Sequence, residues 1–253
     1  MILFILTACR LETGVDLRPR DTADDRADTA TETTPDTDAD VPRDGGAACF
    51  TTGTHTTQRL LRIDLASGAA TLEAEWDART SSASSVALVG SDWFWNSGGN
   101  LFRAAPGDEP SKARRNVYAF ATDGVRWFVV DGDEVYVYAN EADLLSQAPT
   151  RRLPGPFGYH LAFADDGLYA HDGDTLRRMD VDTGDVADAL RLSEGVNAWG
   201  LSIEGRHVHV LDDGAAGTQR ILSFDLATGE LVGTVPVPFV PGGYGGLHCT
   251  GPR

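Results

Sequence analysis

From Ala47 onward, short apolar runs alternate with polar turn residues along the chain. The runs are only a few residues long, and Gly or Asp separates them at intervals of roughly ten residues. No window of this region sustains the 3.6-residue period of an amphipathic helix. The pattern therefore predicts an all-β fold of many short strands over residues 47–253.

One stretch of this pattern recurs almost unchanged. "TQRLLRIDLASG" begins at Thr57, "TQRILSFDLATG" begins at Thr218, and "LRRMDVDTG" from Leu176 is a third copy. In each copy an Asp is followed three and four residues later by Ser or Thr and then Gly. Such a carboxylate accepts backbone N–H groups of a tight turn, and the Gly adopts the positive φ that closes it. The motif predicts a turn between strands. The three acidic residues are Asp64, Asp180 and Asp225.

Two weaker copies, "NLFRAAPG" and "EVYVYANE", lie between the first and the third. Aligned on one apolar position, successive copies are 41, 34, 41 and 45 residues apart. A period of about forty residues is the length of four short strands, which form one blade of a β-propeller. Five repeats therefore predict a five-bladed propeller. The aligned residues are Leu60, Leu101, Val135, Leu176 and Ile221.

The strand before each copy also repeats, with a small residue between two large ones. Because alternate side chains point to opposite faces of a strand, the large pair packs against one neighbouring blade and the small residue lets the other approach. The first copy lacks this strand, whereas the last segment, "YGGLHCTG", has it and nothing after it. The two ends are therefore expected to pair and close the ring. The predicted triplets are 86–88, 118–120, 161–163, 201–203 and 247–249.

The cysteines bear on this closure. The repeat alignment places Cys249 at the position of Phe163 and Cys49 at that of Ala170. With Asp166-Gly167 as a two-residue turn, Phe163 and Ala170 lie directly opposite each other, at a Cα distance of about 4.5 to 5.5 Å that a disulfide tolerates. We therefore predict a disulfide between Cys49 and Cys249. The alternative is that both are small buried apolar residues.

The D-x-x-[ST]-G units over residues 47–253 resemble those of the YVTN and PQQ-like repeat propellers, which are widespread in bacterial envelope proteins. The resemblance implies a propeller domain in such a protein. PQQ-type blades place a tryptophan a few residues after the Gly, whereas Trp76 lies eight residues after Gly68. Quinone binding is therefore not implied, and no cofactor is expected.

Residues 1–9, "MILFILTAC", form an apolar run too short to span a bilayer. The segment from Leu6 to Cys9 resembles the lipobox of bacterial lipoprotein signal peptides. The resemblance implies a lipid on Cys9 and a place in the bacterial cell envelope, at the outer membrane or in the periplasm. No basic region precedes the run, which suggests a start codon further upstream. The alternative is a buried N-terminal strand with an incidental cysteine.

Residues 10–46 contain no aromatic side chain, and eleven acidic residues stand against five basic ones. This segment cannot bury enough apolar surface to fold, so a disordered and extended tether is predicted. The whole chain has a net charge of -17, which repels phosphate backbones and anionic lipids. We expect no nucleic-acid partner, membrane contact only through the lipid anchor, and a monomer.

No nucleophile elbow, zincin helix, phosphate loop or Cys-x-x-Cys pair is present in the sequence. The Asp-Gly-Asp pairs lack the further carboxylates of an EF-hand, so they predict turns. His207 and His209 lie on one face of a strand, but no third ligand is evident, and we predict packing and no metal site. His248 occupies the small position of its triplet, which indicates either a functional role or looser packing where the ring closes.

Propellers usually bind at a mouth of the central channel, near the start of the innermost strands. The aromatic and amide side chains expected there can stack on and hydrogen-bond a sugar, a peptide or another planar ligand. Alternatively, Tyr159 and Trp199 only fill the funnel of a small propeller. The predicted ligand-binding residues are Asn116, Tyr159, His160, Trp199, Tyr244 and His248.

Three functions are compatible with this sequence. The first is a lipid-anchored binding or scaffold module for an envelope protein or a small-molecule or sugar ligand. The second is a hydrolase or lyase that uses His160, His248 or acidic residues at the channel mouth; the sequence shows no His–acid constellation at matching positions to favour it. The third is a structural envelope protein without a ligand.

Overall fold

A computed structural model describes most of the propeller region, in which it shows twenty strands and one short helix. The described residues are 46–54, 57–76, 83–155, 158, 160–164, 167–193, 195–213, 218–237 and 244–251. All of them belong to the compact unit Arg43–Arg253. No helix among them is long and apolar enough to cross a membrane. The predicted signal segment, Cys9 and residues 10–45 of the predicted tether lie outside this part of the chain.

The strands form five antiparallel four-stranded sheets, the blades. Blade 1 contains β1 (Ala48–Thr54), β2 (Gln58–Asp64), β3 (Ala70–Trp76) and, from the end of the chain, β20 (Tyr244–Thr250). Blade 2 contains β4 (Val86–Val89), β5 (Asp92–Ser97), β6 (Asn100–Ala104) and β7 (Ser111–Arg115). Blade 3 contains β8 (Ala119–Thr122), β9 (Trp127–Asp131), β10 (Glu134–Tyr138) and β11 (Arg151–Pro154), with α1 (Glu141–Ser146) before β11. Blade 4 contains β12 (Leu161–Ala164), β13 (Gly167–Asp172), β14 (Thr175–Asp180) and β15 (Val186–Arg191). Blade 5 contains β16 (Ala198–Glu204), β17 (His207–Asp213), β18 (Gln219–Asp225) and β19 (Leu231–Pro236).

The ring closes through blade 1, where the two ends of the propeller pair. The inner strands, which begin each blade, contact one another in the order β4, β8, β12, β16 and β20, and β20 returns to β4. β1 pairs with β20 so that Cys49 lies directly opposite Cys249, and a disulfide joins the two residues. The five-bladed ring, its closure by terminal strands and the disulfide are thus confirmed.

The predicted strand pairing in blade 4, on which the disulfide prediction rested, is nevertheless wrong. Ala170 lies opposite Leu161 rather than Phe163, which pairs with Leu168. β12 and β13 follow each other in the chain with two residues between them, whereas β20 and β1 come from opposite ends of the propeller. The register of the closing pair is therefore independent of the blade-4 hairpin.

Five hydrophobic clusters hold the ring together, one at each junction between neighbouring blades. The residue that aligns the five repeats lies in the third strand from the centre of every blade, is almost fully buried, and packs against the following blade. The repeat period therefore has a direct cause in packing. These residues are Leu60, Leu101, Val135, Leu176 and Ile221.

The repeated Asp motif forms turns, as predicted. Asp180 Oδ1 accepts hydrogen bonds from the backbone N–H groups of Asp182 and Thr183, each at 2.8 Å. Gly184, with φ 83°, closes this turn between β14 and β15. Backbone hydrogen bonds lower the pKa of Asp180. The same arrangement surrounds Asp64 and Asp225.

Blade 3 departs from the predicted pattern in its inner strand. The large-small-large triplet is 120–122 rather than 118–120, because Phe120 packs against blade 2 and Ala121 against blade 4. The turn after β8 has four residues, 123–126, which is longer than the repeat alignment assumed. This difference displaced the predicted triplet by two positions.

The sequence pattern also missed helix α1. Asn140 caps it, since its side-chain oxygen accepts a hydrogen bond from Asp143 N at 2.9 Å, and Leu144 is buried between blades 2 and 3. The signal was present in the sequence as an Asn followed three residues later by an acidic residue. One and a half turns are too short to show a hydrophobic period.

Candidate functional site

The central channel is lined by the same triplet of every inner strand. These fifteen residues, with Asp123, Gly124 and Ala164, surround a cavity of about 570 Å³, a volume typical of small-molecule sites. Because the side chains of the triplets pack between neighbouring blades, backbone groups of the inner strands contribute much of the cavity surface, beside the edges of these mostly apolar residues. The triplets are 86–88, 120–122, 161–163, 201–203 and 247–249.

The cavity lies toward one end of the channel. We call the end where the chain enters the inner strands the entry end, and the opposite end, which holds the hairpins to the second strands, the hairpin end. The lining includes hairpin residues Asp123 and Gly124 but no residue that precedes Val86 in blade 2 or Leu247 in blade 1. The cavity is therefore a feature of the hairpin end.

Close backbone packing narrows the entry end. A methyl group on Gly245 would overlap the carbonyl oxygen of Ala83, and one on Gly200 would lie 2.7 Å from the carbonyl carbon of Gly246. Only glycine fits where two inner strands approach so closely. The inner strands therefore converge at this end.

His160 also lies across the entry end. Its Nδ1 is 3.4 Å from the carbonyl oxygen of Ser84, which joins blade 4 to blade 2, and Ser84 Oγ donates to Tyr118 O at 2.5 Å. Burial lowers the pKa of His160, although the contact with Ser84 opposes this effect. His160 is therefore a neutral side chain whose contact is a backbone carbonyl, which suits a structural link between blades.

Polar side chains near the ends of second strands position the chain as it enters the inner strands. Asn96 Oδ1 accepts from the backbone N–H groups of Ser84 and Ser85, at 3.1 and 2.7 Å. In blade 5, Asp212 Oδ1 accepts from Asn197 N at 2.7 Å. The sequence contained a signal for these residues, because each is a polar residue that directly follows a run of apolar residues near the end of its strand. Sequence reasoning did not identify them.

His248 is the side chain that breaks the pattern of the channel wall. Its position holds Ala or Ser in the other four triplets and faces the following blade. The imidazole lies 6.1 Å from the ring centre of Trp93 and 6.5 Å from that of Phe50, and these two aromatic rings are 4.7 Å apart. Among the fifteen triplet residues His248 is the one ionisable group, since Cys249 is bonded to Cys49.

A charged pair lies beside the cavity at the hairpin end. Arg126 Nε donates to Asp123 Oδ2 at 2.7 Å, and the Arg126 guanidinium lies 5.6 Å from the ring centre of Phe163. Burial raises the pKa of Asp123, but hydrogen bonds from Arg126 and from the backbone outweigh it, so the pKa is lowered. The pair therefore adds no net charge to this side of the cavity.

The residues predicted to bind a ligand do not lie together. His248 lines the cavity, whereas His160 lies at the entry end. At that end lie the exposed side chains of Asn116, which precedes β8, and Trp199, the second residue of β16. Tyr244 begins β20, and Tyr159 lies outside the described residues. Ligand binding at the entry end stays a prediction, and the cavity is a separate candidate that sequence reasoning connected only with His248.

No protein-family model matches the chain, and no curated protein matches its sequence. Solved structures do resemble it. A chain in the crystal structure of a nidogen/laminin complex is 14% identical, with a TM-score of 0.53 over 81% of this chain and 98% of that one. The glutaminyl cyclase of Myxococcus xanthus is 17% identical, with a TM-score of 0.50 over 63% and 72%. At these identities the similarity shows a β-propeller fold alone.

Proposed function

We propose that this protein is a binding module whose ligand enters the channel cavity at the hairpin end. The observation that carries the proposal is the cavity of about 570 Å³ lined by five equivalent triplets. Backbone N–H and C=O groups beside apolar side chains can hold a small molecule or a short peptide that has both polar and apolar parts. His248, against Phe50 and Trp93, adds the ionisable side chain of the triplets that orients the ligand.

The test compares the two ends of the channel with matched variants. Indole and an N-acetylated apolar tripeptide are titrated by calorimetry, with maltose as the polar comparison. Saturable binding of an apolar probe at one site per chain is expected. Ala164→Phe fills the cavity wall and should abolish this binding, whereas Tyr118→Ala, an exposed side chain at the entry end, should not change it. Equal effects of both variants, or no binding of either apolar probe, would refute the site.

The hydrolase or lyase alternative makes a different prediction for the same cavity. A propeller is compatible with either function, since one structural neighbour comes from a protein complex and the other is named as an enzyme. If the site is catalytic, a bound compound is converted, and His248→Ala stops conversion while the probe still binds. Chromatography of each probe after long incubation distinguishes conversion from binding.

We also propose that Cys9 carries a lipid that holds the propeller at a bacterial envelope membrane, at the outer membrane or in the periplasm. The lipobox-like segment that ends at Cys9 supports this proposal. The disulfide also supports it, because such bonds persist in oxidising compartments. Expressed in a bacterium, the wild-type chain should partition into detergent phase and Cys9→Ser into the aqueous phase. Aqueous partitioning of both would contradict the anchor.

A further inference from the structure

Three potential metal ligands meet at the junction of blades 5 and 1. The sulfur atoms of Cys49 and Cys249 and one imidazole nitrogen of His209 all lie within 4.8 Å of one another. All three residues are buried, with exposures of 0%, 6% and 4%. The sequence offered no third ligand for His209 because both cysteines are distant along the chain. Closure of the ring brings Cys49 and Cys249 next to His209.

The strand pairing explains why His209 reaches the disulfide. His209 lies opposite Ser202, and Ser202 Oγ accepts a hydrogen bond from Cys249 N at 2.9 Å. Ser202 thus ties blade 5 to blade 1 beside the cysteines. His207, two residues before His209 on the same strand, is exposed, and its ring centre lies 6.0 Å from that of His209.

A hydroxyl group fixes the orientation of the His209 ring. Its Nδ1 is 2.8 Å from Ser223 Oγ, and a hydrogen bond donated from Nδ1 leaves the lone pair of Nε2 free for a metal. Histidine binds metals in its neutral form, which burial of the ring favours.

We propose that Cys49, Cys249 and His209 bind one Zn²⁺ when the disulfide is reduced. A dithiol reductant is oxidised to its own disulfide, and its two electrons and two protons convert the cystine to two thiols. Zn²⁺ then displaces one proton from each thiol and accepts the imidazole lone pair. Two thiolates neutralise the metal charge, so the buried site carries no net charge.

The spacing of the ligands suits this coordination. Zn–S bonds of about 2.3 Å and Zn–N bonds of about 2.0 to 2.1 Å place tetrahedral ligand atoms about 3.4 to 3.8 Å apart. The nitrogen of His209 already lies within 4.8 Å of both sulfurs, and breaking the S–S bond lets the sulfurs separate. Thiolate and imidazole ligands favour zinc over calcium or magnesium. A water molecule takes the fourth position, as in sites with three protein ligands.

The test uses the full chain with Cys9→Ser in every arm, which removes the third thiol. The protein is reduced anaerobically with a phosphine and titrated with Co²⁺ as a spectroscopic probe. We expect one Co²⁺ per chain, with a thiolate-to-cobalt charge-transfer band and the visible absorption of a four-coordinate ion, both removed by Zn²⁺. The oxidised protein should bind none. His209→Ala should weaken Co²⁺ binding more than 10-fold, and Ser223→Ala should weaken it by about 10- to 100-fold.

His207→Ala is the matched control, because it removes a histidine from the same strand without removing a ligand. Its Co²⁺ affinity should equal that of the parent protein. Unchanged affinity in His209→Ala, or an equal loss in His207→Ala, would overturn the proposal. Near-ultraviolet circular dichroism follows the fold throughout, and unfolding on reduction before metal is added would also count against the site. None of these outcomes depends on the channel ligand.

Discussion

At the scale of single residues, His248 is the strongest functional candidate because it breaks the pattern that the inner strands repeat. Four of the five inner strands place Ala or Ser at the position that faces the next blade, and the fifth places His248 there. The repeated Asp residues, by contrast, serve turns in three blades. A residue that every repeat shares is accounted for by packing or turn geometry, whereas His248 is not.

The turn aspartates predict a specific response to acid. Hydrogen bonds from the backbone of Ala227 and Thr228 lower the pKa of Asp225 below its ordinary value of 3.8. The stabilisation is therefore complete above the unfolded pKa and is lost as the pH falls through the lower folded pKa. An Asn at this position still accepts the N–H bonds but does not titrate. Asp225→Asn should thus show a smaller loss of unfolding free energy between pH 5 and about pH 2.

Urea unfolding at a series of pH values measures this response. The control is Asp182→Asn in the equivalent turn of blade 4, where the carboxylate is 88% exposed. This variant removes one exposed carboxylate from a turn of the same motif and so controls for the loss of a surface charge. A profile of Asp225→Asn that parallels the wild type at every pH would show that the turn carboxylate contributes nothing to acid sensitivity.

At the scale of strands and hairpins, much of the structure was predictable from sequence. The residues that align the five repeats and most of the large-small-large triplets follow from local periodicity. This periodicity exists wherever a strand packs between two neighbouring blades. The triplet of blade 3 was misplaced because a four-residue turn replaces a shorter one. Turn length shifts register without changing the apolar pattern, so the pattern alone does not reveal it.

The position of the cavity was not predictable in the same way. It depends on backbone convergence at the entry end, where Gly245 approaches Ala83. The glycine is visible in the sequence, but its neighbour comes from another blade, 162 positions away in the numbering. The clustering of His209 with Cys49 and Cys249 was hidden for the same reason. Contacts between blades follow from ring geometry, which no local pattern contains.

Gly245→Ala tests this convergence. The added methyl group would overlap the carbonyl oxygen of Ala83, and such overpacking typically costs about 1 to 3 kcal/mol. The control is Gly195→Ala, where nothing lies within 4 Å of the added carbon and a change within about 0.5 kcal/mol is expected. Chemical denaturation measures both. Equal stability of the two variants would mean that the entry end is loosely packed.

At the scale of the whole molecule, the disulfide joins the two ends of the propeller. The cysteines are 200 residues apart, so the bond restricts nearly the entire domain in the unfolded state. The five junction clusters are each local to two neighbouring blades. The bond is therefore the one covalent constraint within the described chain that acts on the ring as a unit.

Replacing both cysteines with Ala should leave the fold intact but lower its stability. Loop-closure entropy for a link of this length corresponds to about 5 kcal/mol. Urea unfolding of the double variant, compared with the oxidised wild type, measures the loss, and circular dichroism checks that the propeller remains. A loss below about 1 kcal/mol would show that strand pairing alone closes the ring.

The position of the disulfide also determines how the molecule carries mechanical force. A pull at Gly46 reaches Cys49 within three residues, and the S–S bond passes the load directly to Cys249, two residues before Gly251. The 200-residue segment between the cysteines bears no tension. In optical tweezers, a tether between residues 46 and 251 should lengthen only slightly until a reductant is added, and then by roughly 650 to 700 Å. A propeller held by one end of its chain is thereby protected from being unravelled from that end.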